Sequence, residues 1–170
     1  GDHTGGLWDV LARNAAVRVY VPASFPGRFC KRVERTGANV EQVSEPAQIA
    51  PGIFTTGEVD NGISEQALVI TSGRGLFVIT GCSHPGVDRM AERAAKAFRS
   101  DIYAVTGGFH LGGASTREIK EIIEELRRLG VQRIGPSHCT GERATELFEE
   151  AWGDDFFDAG CGARIEIAAE

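Results

Sequence analysis

Four histidines and one carboxylate are the residues of this chain whose type and placement could carry chemistry. His3, His84, His110 and His138 are its only histidines, and His3 follows directly on Asp2. Each falls where a loop or strand gives way to an expected helix: His3 ahead of Leu7, His84 after residues 76–80, His110 after 102–105, and His138 after 131–134. In open α/β sheets, ligands gather beyond the carboxyl ends of the strands, where loops converge and helix N-termini face anions. Neutral imidazoles and a carboxylate brought together there suit zinc or a similar borderline divalent ion. Taken singly, a histidine is more often a core or surface residue than a ligand; four at equivalent junctions favour ligation. Each is flanked by glycine or small residues, as in Gly81-Cys82-Ser83-His84-Pro85-Gly86, Gly107-Gly108-Phe109-His110 and Ser137-His138-Cys139-Thr140-Gly141. Glycine lets the backbone approach a ligand closely, although it is also ordinary turn chemistry.

The elements that must position these residues follow from periodicity. Residues 7–14 suggest the first turns of a helix and 17–21 a short β-branched strand. The stretch 22–51 holds Pro22, Pro26, Pro46 and Pro51 and reads as an irregular insertion over one face, a candidate lid, with one helical turn near 29–34. Strands are expected over 52–56, 67–71 and 76–80, the last two joined as a hairpin through Ser72-Gly73-Arg74-Gly75. Helix 87–99, strand 102–105, helix 115–129, strand 131–134 and helix 140–152 alternate after that, and 156–157 and 163–167 read as closing strands. An antiparallel opening followed by strand-helix alternation predicts a layered α/β fold.

Composition narrows the function classes. The chain has 170 residues, 42% hydrophobic and 25% charged, with a formal net charge of −6. That is ordinary for a globular domain, and the basic residues are dispersed among acids, so a nucleic-acid partner is not expected. No apolar run approaches the roughly 20 residues needed to span a bilayer, which predicts no membrane partner and a cytoplasmic protein. Cys30, Cys82, Cys139 and Cys161 show no CxxC spacing and read as reduced thiols. Cys139, beside His138, is a candidate metal contact, although adjacent side chains usually diverge, and Cys161 between two glycines reads as a turn residue. Trp8 and Trp152 read as core or interface residues on helices rather than ligand stackers, and the charged stretch 118–128 as a solvated helix face. The opening segment 1–6 is polar and Gly-rich with no strand ahead of it, so 1–170 reads as a single domain cut short at its N-terminus.

The motifs together resemble a known family. Asp2-His3-Thr4-Gly5-Gly6-Leu7 is similar to the second half of the HxHxDH metal motif of the metallo-β-lactamase superfamily. Combined with Gly-Cys-Ser-His-Pro-Gly, Gly-Gly-Phe-His-Leu and Ser-His-Cys-Thr-Gly, it resembles the branch of the 7,8-dihydropterin-6-methyl-4-(β-D-ribofuranosyl)-aminobenzene-5′-phosphate synthase-like proteins. The resemblance implies an αββα sandwich whose N-terminal strands are missing here, and a dinuclear centre of zinc, or of iron or manganese, in the full-length protein. It also implies that Asp2, His3 and His138 bind one metal and that His84 completes the other with two upstream histidines. Where most of the superfamily places a bridging carboxylate, this chain reads Gly81-Cys82. Either Cys82 takes that position as a thiolate or supports it, or a water or hydroxide bridges.

The implied chemistry is hydrolysis, or a synthase or lyase step, by metal-activated water on a small phosphorylated or pterin-like substrate. Asp2 and His110 are the candidate catalytic residues: Asp2 as general base, His110 with substrate contact, ligation and support of a ligand all open. The expected partner is a small molecule, with oligomeric state left open. Two other classes stand beside this one: a metal- or ligand-binding α/β module without turnover, and a plain binding domain whose histidines are structural. Turnover separates the first from the enzyme; stability unchanged by a chelator would mark the second. Alone, the chain is expected to be marginal in stability, because missing strands would expose sheet edge and core.

Overall fold

The computed structural model describes residues 3–167. A six-stranded mixed sheet is its centre, its strands lying side by side in chain order. Strands β3 (Ala47–Ala50), β4 (Ile53–Thr55), β5 (Leu68–Ser72) and β6 (Gly75–Thr80) run antiparallel to their neighbours, and β7 (Ile102–Gly108) and β8 (Arg133–Ser137) then continue parallel to β6. The change of direction at β6 follows from the connections. A two-residue turn returns β5 into β6, with Ser72 Oγ donating to the Gly75 carbonyl at 2.8 Å, whereas helices α3 (Val87–Phe98) and α4 (Thr116–Arg128) carry the chain from β6 to β7 and from β7 to β8.

Side-chain alternation gives the central strands two buried faces. Leu76, Val78, Val105 and Ile134 face α3, α4 and α5 (Glu142–Trp152), where Met90, Ala91, Ala94, Ile119, Leu126, Leu147, Phe148 and Trp152 complete the main core. Phe77, Tyr103 and Ala104 lie on the other side, against Phe157, Ile165 and Ile167; Tyr103 and the next residue share it because the register slips by one between the Leu76–Ile102 and Phe77–Ala104 pairs. Trp152 is a core residue as expected, its indole N–H donating to the Val131 carbonyl at 3.2 Å. Helix α4 begins at a capping box in which Ser115 and Glu118 satisfy each other's backbone N–H.

The stretch expected to be irregular is ordered. Helix α2 (Gly27–Glu34) and strand β2 (Asn39–Val43) pair with α1 (Leu7–Arg13) and β1 (Arg18–Pro22) to form a small unit around a parallel β1-β2 ladder, with Leu11, Val33 and Ala38 as its core. The four prolines punctuate these elements rather than prevent them: Pro22 ends β1, Pro26 caps α2, and Pro46 and Pro51 bracket β3. At the far end, Phe156 makes a single parallel bridge to Ile134, and residues 163–167 form no strand; Ile165 and Ile167 cover the sheet by side-chain contact alone.

Candidate metal centre

Strands β6, β7 and β8 are parallel, so their carboxyl ends lie on one edge, and the segments leaving them carry Cys82-Ser83-His84, Phe109-His110 and His138-Cys139. The strand ends are tied together. The Gly108 amide donates to the Gly81 carbonyl at 2.8 Å, Ser83 Oγ donates to the Gly108 carbonyl at 2.7 Å, and Thr140 Oγ1 accepts from the Phe109 amide at 3.1 Å while donating to the Ser137 carbonyl at 2.7 Å. Ser83, His110 and His138 adopt left-handed backbone conformations, with φ of 60°, 51° and 54°. Such conformations in residues other than glycine cost about 1 kcal/mol or more each and concentrate at functional sites.

This frame brings the histidines together. The rings of His3 and His84 lie 5.2 Å apart between centroids, and those of His84 and His110 lie 4.1 Å apart. His138 Nε2 lies 3.2 Å from Cys82 Sγ. Two overlapping groups of donors result, His3 with Cys82 and His84, and Cys82 with His138 and Cys139; within each, the ligand atoms all lie within 4.8 Å of one another. Cys82 is buried and common to both. It therefore stands between the two groups, where the sequence raised it as a candidate bridge. His3, His110 and His138 are exposed and His84 is half-buried, so the cluster is open to solvent on one side. Asp2 lies outside the described residues. Imidazole and thiol donors at these separations suit zinc or another borderline ion.

A residue that sequence reasoning passed over completes the arrangement. Glu65 is only 8% exposed; one carboxylate oxygen pairs with His84 Nδ1 and the other accepts the Ser83 amide at 2.8 Å. The same oxygen that meets His84 lies 3.8 Å from His3 Nδ1. A carboxylate accepting from Nδ1–H fixes the tautomer and leaves Nε2 free as a ligand. Glu65 sits in a long connection, Thr56 to Ala67, held by a bridge between Val59 and Glu65. Its sequence signal is no more than an acid three positions ahead of the apolar strand β5.

Two pockets of about 330 Å³ flank the cluster and share His3 and Gly81. One lies over the strand ends, beside Cys82, Gly108 and His138. The other is lined by Leu7, Val19, Val21, Phe25 and Phe29 of the small unit, with Glu65 at its polar end. The small unit is fastened to the sheet by Gln66, whose side-chain amide donates to the Tyr20 carbonyl at 2.9 Å, and by Glu58, which accepts the Ser24 amide at 2.7 Å. That amide is the main reason the Glu58 carboxyl lies below its usual range. No described helix is long and apolar enough to cross a membrane.

No protein-family model matches the chain. Among curated proteins, the 7,8-dihydropterin-6-methyl-4-(β-D-ribofuranosyl)-aminobenzene-5′-phosphate synthase of Methanocaldococcus jannaschii is 30% identical over an alignment 211 positions long, gaps included, taking in 98% of this chain and 72% of the relative. The uncharacterized protein MJ0448 of the same organism is 29% identical over 127 residues, 63% of this chain and 47% of that protein. Among solved structures, Tm1679, a metal-dependent hydrolase of the β-lactamase superfamily, superposes with a TM-score of 0.77 at 28% identity, covering 93% of this chain and 74% of its own. With 30% identity to that synthase over 72% of its length and a superposition on Tm1679 at a TM-score of 0.77, the chain belongs to the metallo-β-lactamase superfamily, in the branch that holds the dihydropterin-ribofuranosyl-aminobenzene phosphate synthase.

Proposed function

We propose that the protein is a metal-dependent enzyme of hydrolytic type acting on a small phosphorylated or pterin-like molecule. The observation that carries this reading is the convergence of His3, His84, His110 and the Cys82–His138 pair at the shared edge of three parallel strands. The relative's name, a synthase of a dihydropterin-ribofuranosyl-aminobenzene phosphate, supports the substrate class, and the neighbour's as a metal-dependent hydrolase supports the reaction class. A divalent ion bound there supplies a polarised carbonyl or phosphoryl oxygen and hydroxide near neutral pH.

The chain's own residues do the rest. His3, His84, Cys82 and His138 hold the ion or ions, and Asp2, next to His3, is the candidate general base. Glu65 orients the His84 ring and keeps its Nε2 directed outward. His110, exposed and placed against the His84 ring, serves as a hydrogen-bonding or proton-transferring group toward the substrate. The apolar pocket between Val19 and Phe29 receives the uncharged part of the substrate, since neither Lys nor Arg lines it.

Elemental mass spectrometry of the purified protein, beside His138→Ala, tests the reading. Zinc, iron or manganese bound to the native protein and reduced in the variant, with chelator-sensitive turnover of a chromogenic phosphoester, is expected. A folded protein that binds none of these metals would overturn it.

A further inference from the structure

We propose that Cys82, His138 and Cys139 form a thiolate-rich metal position, distinct in chemistry from the imidazole side of the cluster, and that Cys139 is one of its ligands. The inference rests on the metal-dependent reading above and goes beyond it by assigning a ligand and a metal preference.

Backbone conformation is what makes Cys139 available. Along an extended strand, successive side chains point to opposite faces, so a His-Cys pair cannot normally serve one ion. Strand β8 ends at Ser137, and His138 turns left-handed with φ 54°. That turn breaks the alternation, and the donor atoms of His138 and Cys139 both come within 4.8 Å of the Cys82 sulfur. Gly108 makes the room. A Cβ built on Gly108 would stand 2.8 Å from Cys139 Sγ, 3.1 Å from His138 Cδ2 and 2.4 Å from the Gly81 carbonyl. The end of β7 is thus a floor without a side chain, over which the thiol and imidazole lie.

One edge of the group matches a metal. Bonds of about 2.3 Å to sulfur and 2.05 Å to nitrogen at a tetrahedral angle separate the two donors by roughly 3.5 Å. Cys82 Sγ and His138 Nε2 stand 3.2 Å apart, within a few tenths of that edge. Among the described residues the group supplies three protein donors, with its exposed side at His138. Two sulfurs and one imidazole select thiophilic ions, zinc or ferrous iron, over manganese, which prefers oxygen donors.

Cobalt(II) titration of the metal-free protein under a non-thiol reductant tests the proposal, because thiolate ligation gives a charge-transfer absorption in the near ultraviolet that nitrogen and oxygen donors do not. The expected result is a band present in the native protein and in Cys161→Ser, whose exposed thiol lies outside the cluster. It is weakened in Cys139→Ser and absent from Cys82→Ser/Cys139→Ser. Cys139→Ser is also expected to bind zinc at least about tenfold more weakly, a loss that even an outer partner of a ligand produces. Circular dichroism establishes that each variant is folded. Cobalt bound without the band, or a band and zinc affinity unchanged in Cys139→Ser, would overturn the proposal and leave the metal-dependent reading standing. A folded native protein that binds no cobalt would overturn both.

Discussion

Glu65 and His84 are paired carboxylate to imidazole across a connection of nineteen positions, and the pair is anchored because the second Glu65 oxygen holds the amide of Ser83, the residue before the histidine. The carboxylate therefore sets both the ring tautomer and the backbone that carries the ring. Glu65→Gln keeps the shape but replaces one acceptor with a donor. It is expected to lower metal affinity by about 10- to 100-fold, the usual cost of losing a ligand's orienting partner, measured by competition with a chromophoric chelator. Glu65→Ala should in addition lower stability by about 1–3 kcal/mol, because the buried Ser83 N–H loses its acceptor; urea unfolding reads that difference.

His110 and His138 are predicted to separate in their effects. His110→Ala is expected to leave metal content as it is while lowering kcat by about 100-fold or more, the range of a positioned proton-transfer group. Metal analysis and turnover on the same preparation check it. A fall in metal content with His110→Ala would instead make that ring a ligand.

Gly108→Ala should lower stability by about 1–3 kcal/mol, as overpacking does, since its Cβ would meet the Gly81 carbonyl at 2.4 Å before anything flexible could yield. Thermal unfolding beside Gly113→Ala, where no atom lies within 4 Å of the added carbon, isolates the contact.

The strand-helix alternation from residue 76 onward was legible because each element announces itself locally: Ser115 and Glu118 mark the start of α4, and Gly130 at φ 74° follows its end. The histidines were legible for the same reason, each standing at a junction. Glu65 was not, because its burial depends on partners eighteen and nineteen positions away and its neighbours Ser64 and Gln66 read as a polar loop. Prolines misled the reading of residues 22–51: proline is as much a boundary residue as a breaker, and here it brackets α2 and β3. Cys139 was discounted on the rule that adjacent side chains diverge, which fails when the first residue is left-handed, a property no pattern of apolar residues encodes.

Those left-handed residues also place the protein's most stable sequence apart from its most capable one. Glycine at the exposed positions 110 and 138 would relieve backbone strain on the order of 1 kcal/mol at each, yet it would remove two imidazoles from the cluster; at position 83 the lost hydrogen bond to the Gly108 carbonyl offsets the relief. Selection of variants for thermal endurance alone would drift toward glycine at 110 and 138. Recovery of such variants without activity would map the centre by what stability discards.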